Sequence, residues 1–506
     1  MSRLVRSTLI VVIFFGLEKG LGFIRQVAIA HQFGLSPELD AFNAANNIPD
    51  LIFALISGGA LAMALIPVLS ETIQKHSRSD AWELFSRVAN LVFLVTAGLS
   101  VIVALLAEAL VGWRLGIAPG FSTPQQELVA DLMRLNLFAT MLLSLGGLVI
   151  AGLQSNQHFL LPALAPSMYD LGMLFGVFIL SPEQGYQLGS LTLPAFGMGI
   201  HGLVYGTILG SALFLLVQIP GLLRFGFRWK PILGLFNPAV QQVLSLLGPR
   251  VAHMFFIQVT FLGQDNIASR LNAGSISALV YGWLFMQVPE TLIGTALGTV
   301  LLPTISEQFA RQDLDKFQTT LNHIIRLILA LTIPSAVLVG MVLPPVVAIL
   351  GLDAAGTNLV VWTARAYLLG LMGHSLLEVA ARAFYARQAP RTPMLSAALN
   401  AAVFLSLAAV LASPLGAPGI ALANSIAFTS QALLLLFILR KSFPGLLKVG
   451  GTLVRVVLIS AVAGAVVFGL LQLSLPALPL AALALLAGTV IVIPFILPEI
   501  KLLLRL

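Results

Sequence analysis

The chain has 506 residues, of which 58% are apolar and only 9% charged, with a formal net charge of +7 and no cysteine. Soluble domains carry about a quarter charged residues, so the composition excludes a soluble globular protein and points to an all-α polytopic membrane protein with no sizeable soluble domain. The absent cysteine excludes disulfides, thiolate metal sites and thiol chemistry, and the basic excess is spread over short loops, a pattern of membrane topology rather than of nucleic-acid binding.

Arg3 and Arg6 before an apolar run imitate a signal peptide, with Ala28-Ile29-Ala30 as a small-x-small site. Glu18, Lys19 and Arg25 interrupt that run and further spans follow, so it reads as a retained first span. Hydropathy breaks give about fourteen spans, near residues 7–33, 40–73, 82–112, 125–153, 158–181, 195–223, 238–263, 275–309, 317–350, 357–386, 392–412, 418–440, 450–473 and 477–500. With the N-terminus in the cytoplasm, the inside segments collect Lys75, Arg78, Arg224, Arg228, Lys230, Arg311, Lys316, Arg387, Arg391, Arg440, Lys441 and Lys448. Outside segments hold little beyond Arg114 and Arg270, so the positive-inside rule puts both termini in the cytoplasm.

The first span is the least lipid-like. An ionisable group at membrane depth costs about 2.5–3.5 kcal/mol on insertion scales unless it meets a partner or a cavity. Glu18 and Arg25 lie seven residues apart on one helical stripe, with Lys19 and Gln26 on the next. Two readings follow: an internal Glu18–Arg25 neutralising pair, or an anion contact within the membrane made by Lys19 and Arg25. In the second span, Asp40 follows the turn Gly34-Leu-Ser-Pro and is expected to cap the helix start, with a direct functional role as the other reading. Asp50 follows Pro49, where Asn46 and Asn47 make the helix polar and breakable. Gly20, Gly22, Pro49, Gly58, Gly59 and Pro289 interrupt the first, second and eighth spans; singly they are kinks and packing sites, and as a set they suit helices that bend.

In the seventh span, Asp265 beside Gln264, with Arg270 beyond, is either an interfacial pair or a small-cation site. Glu378 and Arg382 are four apart in the tenth span and read as an intrahelical ion pair. His201, His253, His323 and His374 have no metal-ligand spacing, and there is no nucleophile–base set, phosphate-cradling loop or nucleotide motif, so the chain is not read as an enzyme.

Ala60-Leu-Ala-Met-Ala-Leu-Ile-Pro-Val-Leu-Ser-Glu71 aligns without gaps on Ala296-Leu-Gly-Thr-Val-Leu-Leu-Pro-Thr-Ile-Ser-Glu307. Each copy closes a long span, and the even number of spans between them gives both the same orientation, as in transporters built from two parallel repeats. The expected organisation is an N-lobe over 1–224, a C-lobe over 225–441, and two C-terminal helices over 442–506 outside the repeat.

Leu21-Gly-Phe-Ile-Arg-Gln26, Phe33-Gly34 with Asp40-Ala-Phe42, Ile48-Pro-Asp-Leu51, Gly59-Ala-Leu61, Ile66-Pro-Val-Leu-Ser-Glu71, Ala296-Leu-Gly-Thr-Val-Leu-Leu-Pro303 and Arg382-Ala-Phe-Tyr-Ala-Arg-Gln388 with Thr392-Pro393 together carry a family likeness. In these motifs the chain resembles the MurJ (MviN) lipid II flippases of the multidrug/oligosaccharidyl-lipid/polysaccharide exporter superfamily. The resemblance implies fourteen helices in two lobes around a cationic central cavity, and a lipid-tail groove formed by spans thirteen and fourteen. It implies a cargo of undecaprenyl-diphosphate-linked glycan flipped by alternating access in cell-wall synthesis, with Lys19, Arg25 and Asp40 as substrate-binding residues. The resemblance also implies other cell-wall synthesis proteins as partners, and Na+ as the coupling ion by likeness to some relatives, with Asp265 and Asn400 as matches.

Three positions depart from the family pattern, since Phe53, Ala54 and Leu284 stand where the family often has arginine. A lysine at position 19 also lacks the bidentate grip of an arginine. Three alternatives therefore stay open: a flippase of another lipid-linked glycan, a non-transporting scaffold of envelope synthesis, and a cation-coupled small-molecule exporter.

Overall fold

The computed structural model describes residues 3–56, 59–189 and 191–503. Gly58 lies outside the described residues. The chain is helical almost throughout and divides into two compact units, residues 1–270 and 271–506.

In the first unit the helices are α1 (Arg3–Phe33), α2 (Pro37–Ala45), α3 (Asn47–Ile56), α4 (Gly59–Lys75), α5 (Arg78–Gly112), α6 (Thr123–Ser155), α7 (Leu160–Phe175), α8 (Gly199–Leu216), α9 (Ile219–Arg224) and α10 (Pro238–Ala268). In the second they are α11 (Ser275–Glu290), α12 (Ala296–Ala310), α13 (Leu314–Val347), α14 (Ala354–Leu368), α15 (Leu371–Ala386), α16 (Arg391–Leu415), α17 (Ala417–Ser442), α18 (Gly450–Leu470) and α19 (Ala477–Leu503). Single π-helical turns, Gly176–Leu180 and Thr291–Thr295, follow α7 and α11.

Among the described residues, ten helices are long and apolar enough to cross a membrane, which makes this a multi-pass membrane protein. Four expected spans are of another kind. The first, α1, carries Glu18, Lys19 and Arg25. The second is cut into α2, α3 and α4, and the tenth is cut into α14 and α15 around Leu369 and Gly370. The seventh, α10, is continuous but interleaves Gln, Ser, Thr and Asp with its apolar residues. Either polarity or a break thus marks the helices that carry Lys19, Arg25, Asp40 and Asp265.

The break in the second span has a local cause. Asn46 turns its side-chain amide onto the Phe42 carbonyl at 3.1 Å, competing with the backbone ladder. Pro49 then falls in the first turn of α3, where its missing N–H costs nothing. Asp40 is not the cap of α2. Ser36 occupies that place, its hydroxyl accepting from the Leu39 amide at 3.2 Å with Pro37 at the first helical position, and Asp40 sits buried one turn in.

The repeat is visible within each unit. On α4, Leu61, Leu65, Val68 and Leu69 pack into a core with Trp82, Phe85 and Leu148; on α12, Leu301 and Ile305 pack into a core with Phe317, Leu321 and Val379. Both copies end in the same i,i+4 pair, Glu71–Lys75 and Glu307–Arg311, each at 2.6 Å. The boundary between units lies later than the repeat suggests. Val240 and Val243 of α10 join the Leu61–Leu148 core, so the seventh span packs with the first unit rather than opening the second.

In the first unit, α7 and α8 meet through glycines. A side chain at Gly176 would lie 2.7 Å from the Gly202 carbonyl and the Gly206 Cα, so only the bare backbone fits. In the second unit, α18 and α19 dock on α13 through Val456, Ala463 and Val467, Ala481, Ala484 and Val492, and Ala330, Leu338 and Val342. Their outward faces, with Val454, Leu458, Leu486 and Val490 exposed, suit lipid contact.

Candidate functional site

In the first unit, α1 is an unbroken helix through Gly20 and Gly22, and a side chain at Gly20 would meet nothing within 4 Å. Glu18 does not pair with Arg25. It stands 3.4 Å from the exposed Lys19 ammonium, while the Arg25 Nη1 donates across the unit to Asp170 Oδ1 of α7 at 2.5 Å. The Arg25 guanidinium also lies 5.8 Å from the Tyr169 ring centre. Asp170 is a functional candidate that sequence reasoning missed. Its signal was present, a lone carboxylate inside an apolar span, which demands a partner at that depth.

A second polar cluster gathers at the break between α2 and α3. Asn47 Nδ2 donates to Asp265 Oδ2 of α10 at 2.6 Å, and Asn136 Nδ2 of α6 donates to Asn46 Oδ1 at 2.8 Å. Gln264 also hydrogen-bonds Asp265, and Asp40 is within electrostatic reach of it. Asp40 is 1% exposed, so the residue expected to touch substrate is closed off among protein groups in this conformation. Arg270 does not pair with Asp265; it turns to the Arg114 carbonyl and the Asn266 side chain, both at 3.3 Å. Asp50, by contrast, is exposed on α3.

In the second unit, Pro289 precedes the π-helical turn Thr291–Thr295. A proline removes one ladder bond, and a single π turn inside a helix is a local irregularity frequent at functional sites. The Thr295 hydroxyl donates to Glu290 at 3.2 Å, the expected Glu378–Arg382 pair forms, and Arg382 reaches the Thr299 hydroxyl at 3.5 Å. Asn400 of α16 is buried, and its Nδ2 has no hydrogen-bond partner among the described residues. Asp265 and Asn400 thus belong to different compact units. Among the described residues no group of three His, Asp or Glu side chains could hold a metal ion.

Two further features of the second unit were not legible beforehand. Glu499 of α19, fully buried, receives Arg455 and Thr452 of α18, and Arg326 of α13 lies 3.6 Å from it. Beside the same helices is an apolar cavity of about 1050 Å³, lined by Met341, Pro344, Trp362, Phe468 and Leu480, with Arg365 as its cation.

Comparison with known proteins places this architecture. The family described as lipid II flippase MurJ matches residues 29–487, beginning just after Arg25. The lipid II flippase MurJ of Burkholderia cenocepacia is 29% identical over 450 residues, covering 87% of this chain and 84% of that protein. A solved lipid II flippase MurJ in an inward closed conformation superposes with a TM-score of 0.79 at 24% identity, covering 96% of this chain and 98% of that one. An inward-facing multidrug-resistance MATE transporter of the MOP superfamily superposes with a TM-score of 0.68 at 12% identity, covering 85% and 98%.

Proposed function

The chain belongs to the lipid II flippase MurJ family, and from that premise we propose that it moves lipid II, an undecaprenyl-diphosphate-linked glycan, between membrane leaflets by alternating access. The observation that carries the reading is α1. A helix at membrane depth displays Lys19 exposed and Arg25 partly exposed, cations that lipid alone would not tolerate and that a diphosphate needs. Transport of this kind makes and breaks no covalent bond, so the protein acts without catalysis. The cargo crosses from the cytoplasmic to the outer face of a bacterial inner membrane, with both chain termini in the cytoplasm, and is handed to cell-wall synthesis proteins.

The apolar cavity beside α13, α14, α18 and α19 suits the polyprenyl tail. Shape change during the cycle is assigned to the backbone faults: the α2–α3 break at Asn46 next to Pro49, the start of α4 at Gly59, the π turn after Pro289, and the small residues Gly20 and Gly22. Sodium is the proposed coupling ion, with Asp265 supplying the carboxylate; replacing external sodium by choline, and separately Asp265→Asn, should each slow transport if so.

The deciding experiment replaces Lys19 and Arg25 by alanine in cells depleted of their own flippase. The expected result is loss of growth and of lipid II at the outer face with normal membrane insertion; unchanged growth and exposure refute the assignment. A second reading, a different lipid-linked glycan, is favoured by Phe53, Ala54 and Leu284 in place of arginines. It predicts correct insertion without restored lipid II exposure.

A further inference from the structure

Arg25 already has an anion. Its guanidinium donates to Asp170 at 2.5 Å, from a side chain 20% exposed to one only 4% exposed. The contact joins residues 145 apart in the chain, so α7 must dock on α1 for it to exist. Glu18 and Lys19 are within electrostatic reach of the same carboxylate, and the four formal charges sum to zero. The guanidinium is nonetheless underused: Arg25 Nε is buried without a hydrogen-bond partner. Guanidinium carries five N–H donors in a planar fork, and here one carboxylate oxygen holds one edge while the Nε edge is left over.

We propose that Asp170 is a positioning residue for the headgroup site, a resident counter-anion that holds Arg25 when no cargo is bound and exchanges it with the cargo's diphosphate. This rests on the reading of Arg25 as a diphosphate ligand. The exchange follows from the geometry. A diphosphate offers more acceptor oxygens than one carboxylate and can serve the orphaned Nε as well as the Nη edge, so it competes where a singly charged or neutral headgroup does not. On release, Asp170 takes the guanidinium back, and Arg25 is never left as an unpaired cation in apolar surroundings. Asp170 therefore weakens equilibrium binding and speeds unloading.

The test uses the full-length protein in lipid nanodiscs for lipid II binding, and in proteoliposomes for transport. Asp170→Asn should tighten binding about tenfold and slow turnover by a similar factor, and Asp170→Glu, which keeps the charge, should stay within about twofold of the parent. Weaker binding in Asp170→Asn, no change in either quantity, or a Glu variant that behaves like the Asn variant overturns the proposal. If Asp170→Asn does not fold, Gly22→Ser serves instead, because a Cβ at Gly22 lies 3.7 Å from Asp170 Oδ2 and its hydroxyl competes for that carboxylate. It should shift both quantities the same way, by about threefold, and unchanged values overturn the proposal. Arg25→Ala separates the two levels: parent-like binding sinks the assignment of Arg25 itself, whereas lost binding with an unaltered Asp170→Asn variant sinks only the counter-anion role.

Discussion

Among the described residues, Asp170 and Glu499 are buried carboxylates that meet arginines in the membrane-embedded helices, and the two clusters are built to different ends. At Glu499 one carboxylate oxygen faces Arg455, Arg326 and the Thr452 hydroxyl, while Thr452 in turn accepts from Arg326 Nε at 2.8 Å. These contacts fasten α18 and α19 to α13, with Arg455 Nε and Glu499 Oε2 buried and without hydrogen-bond partners among the described residues. At Asp170 one carboxylate meets one arginine, whose Nε is likewise buried without a partner. The same ion chemistry is a fastening where three groups from two helices converge on one acid, and an exchangeable contact where a single guanidinium edge holds it.

Mutations should separate the two. Glu499→Ala strands two arginines and should produce the largest loss of stability, about 3 kcal/mol, read as a lower unfolding temperature in detergent, with transport falling only in proportion to folded protein. Arg25→Ala should reverse that ranking, costing about 2 kcal/mol by leaving Asp170 unpaired while abolishing lipid II transport. If the two variants lose stability and transport in the same proportion, the distinction fails. Asn47→Ala, which removes the donor to Asp265 at the α2–α3 break, should cost about 1–2 kcal/mol, and hydrogen exchange should rise in α2 and α3 rather than in α18. Glu71→Gln and Glu307→Gln, in the matched exposed pairs that close the two repeats, should leave the unfolding temperature unchanged; a clear drop in only one would show that the repeats are not equivalent.

Much of this architecture is legible in the amino-acid sequence. Apolar runs marked the spans, and the Pro-x-x-Ser-Glu ending paired α4 with α12 because a repeat must bury the same helical face twice. Asn46, Asn47 and Pro49 announced a break, since side-chain amides and proline both compete with the helical ladder. The cap is ambiguous in the sequence because Ser36 and Asp40 are both side-chain acceptors near a helix start, and only the backbone angles separate the cap from the first turn.

Pairing was out of reach. Glu18 and Arg25 share a stripe, yet Arg25 reaches Asp170, because partner choice at membrane depth depends on which helix arrives beside α1, and no local pattern encodes that. The same holds for Glu499 with Arg326 and Arg455, and for α10, whose Val240 and Val243 give the seventh span to the first unit. Sequence alone determined what must be buried and which charges need an answer, because burial and desolvation are properties of each residue. Tertiary structure decided which group answers, because an ion pair is a property of two positions that only the packed helices bring together.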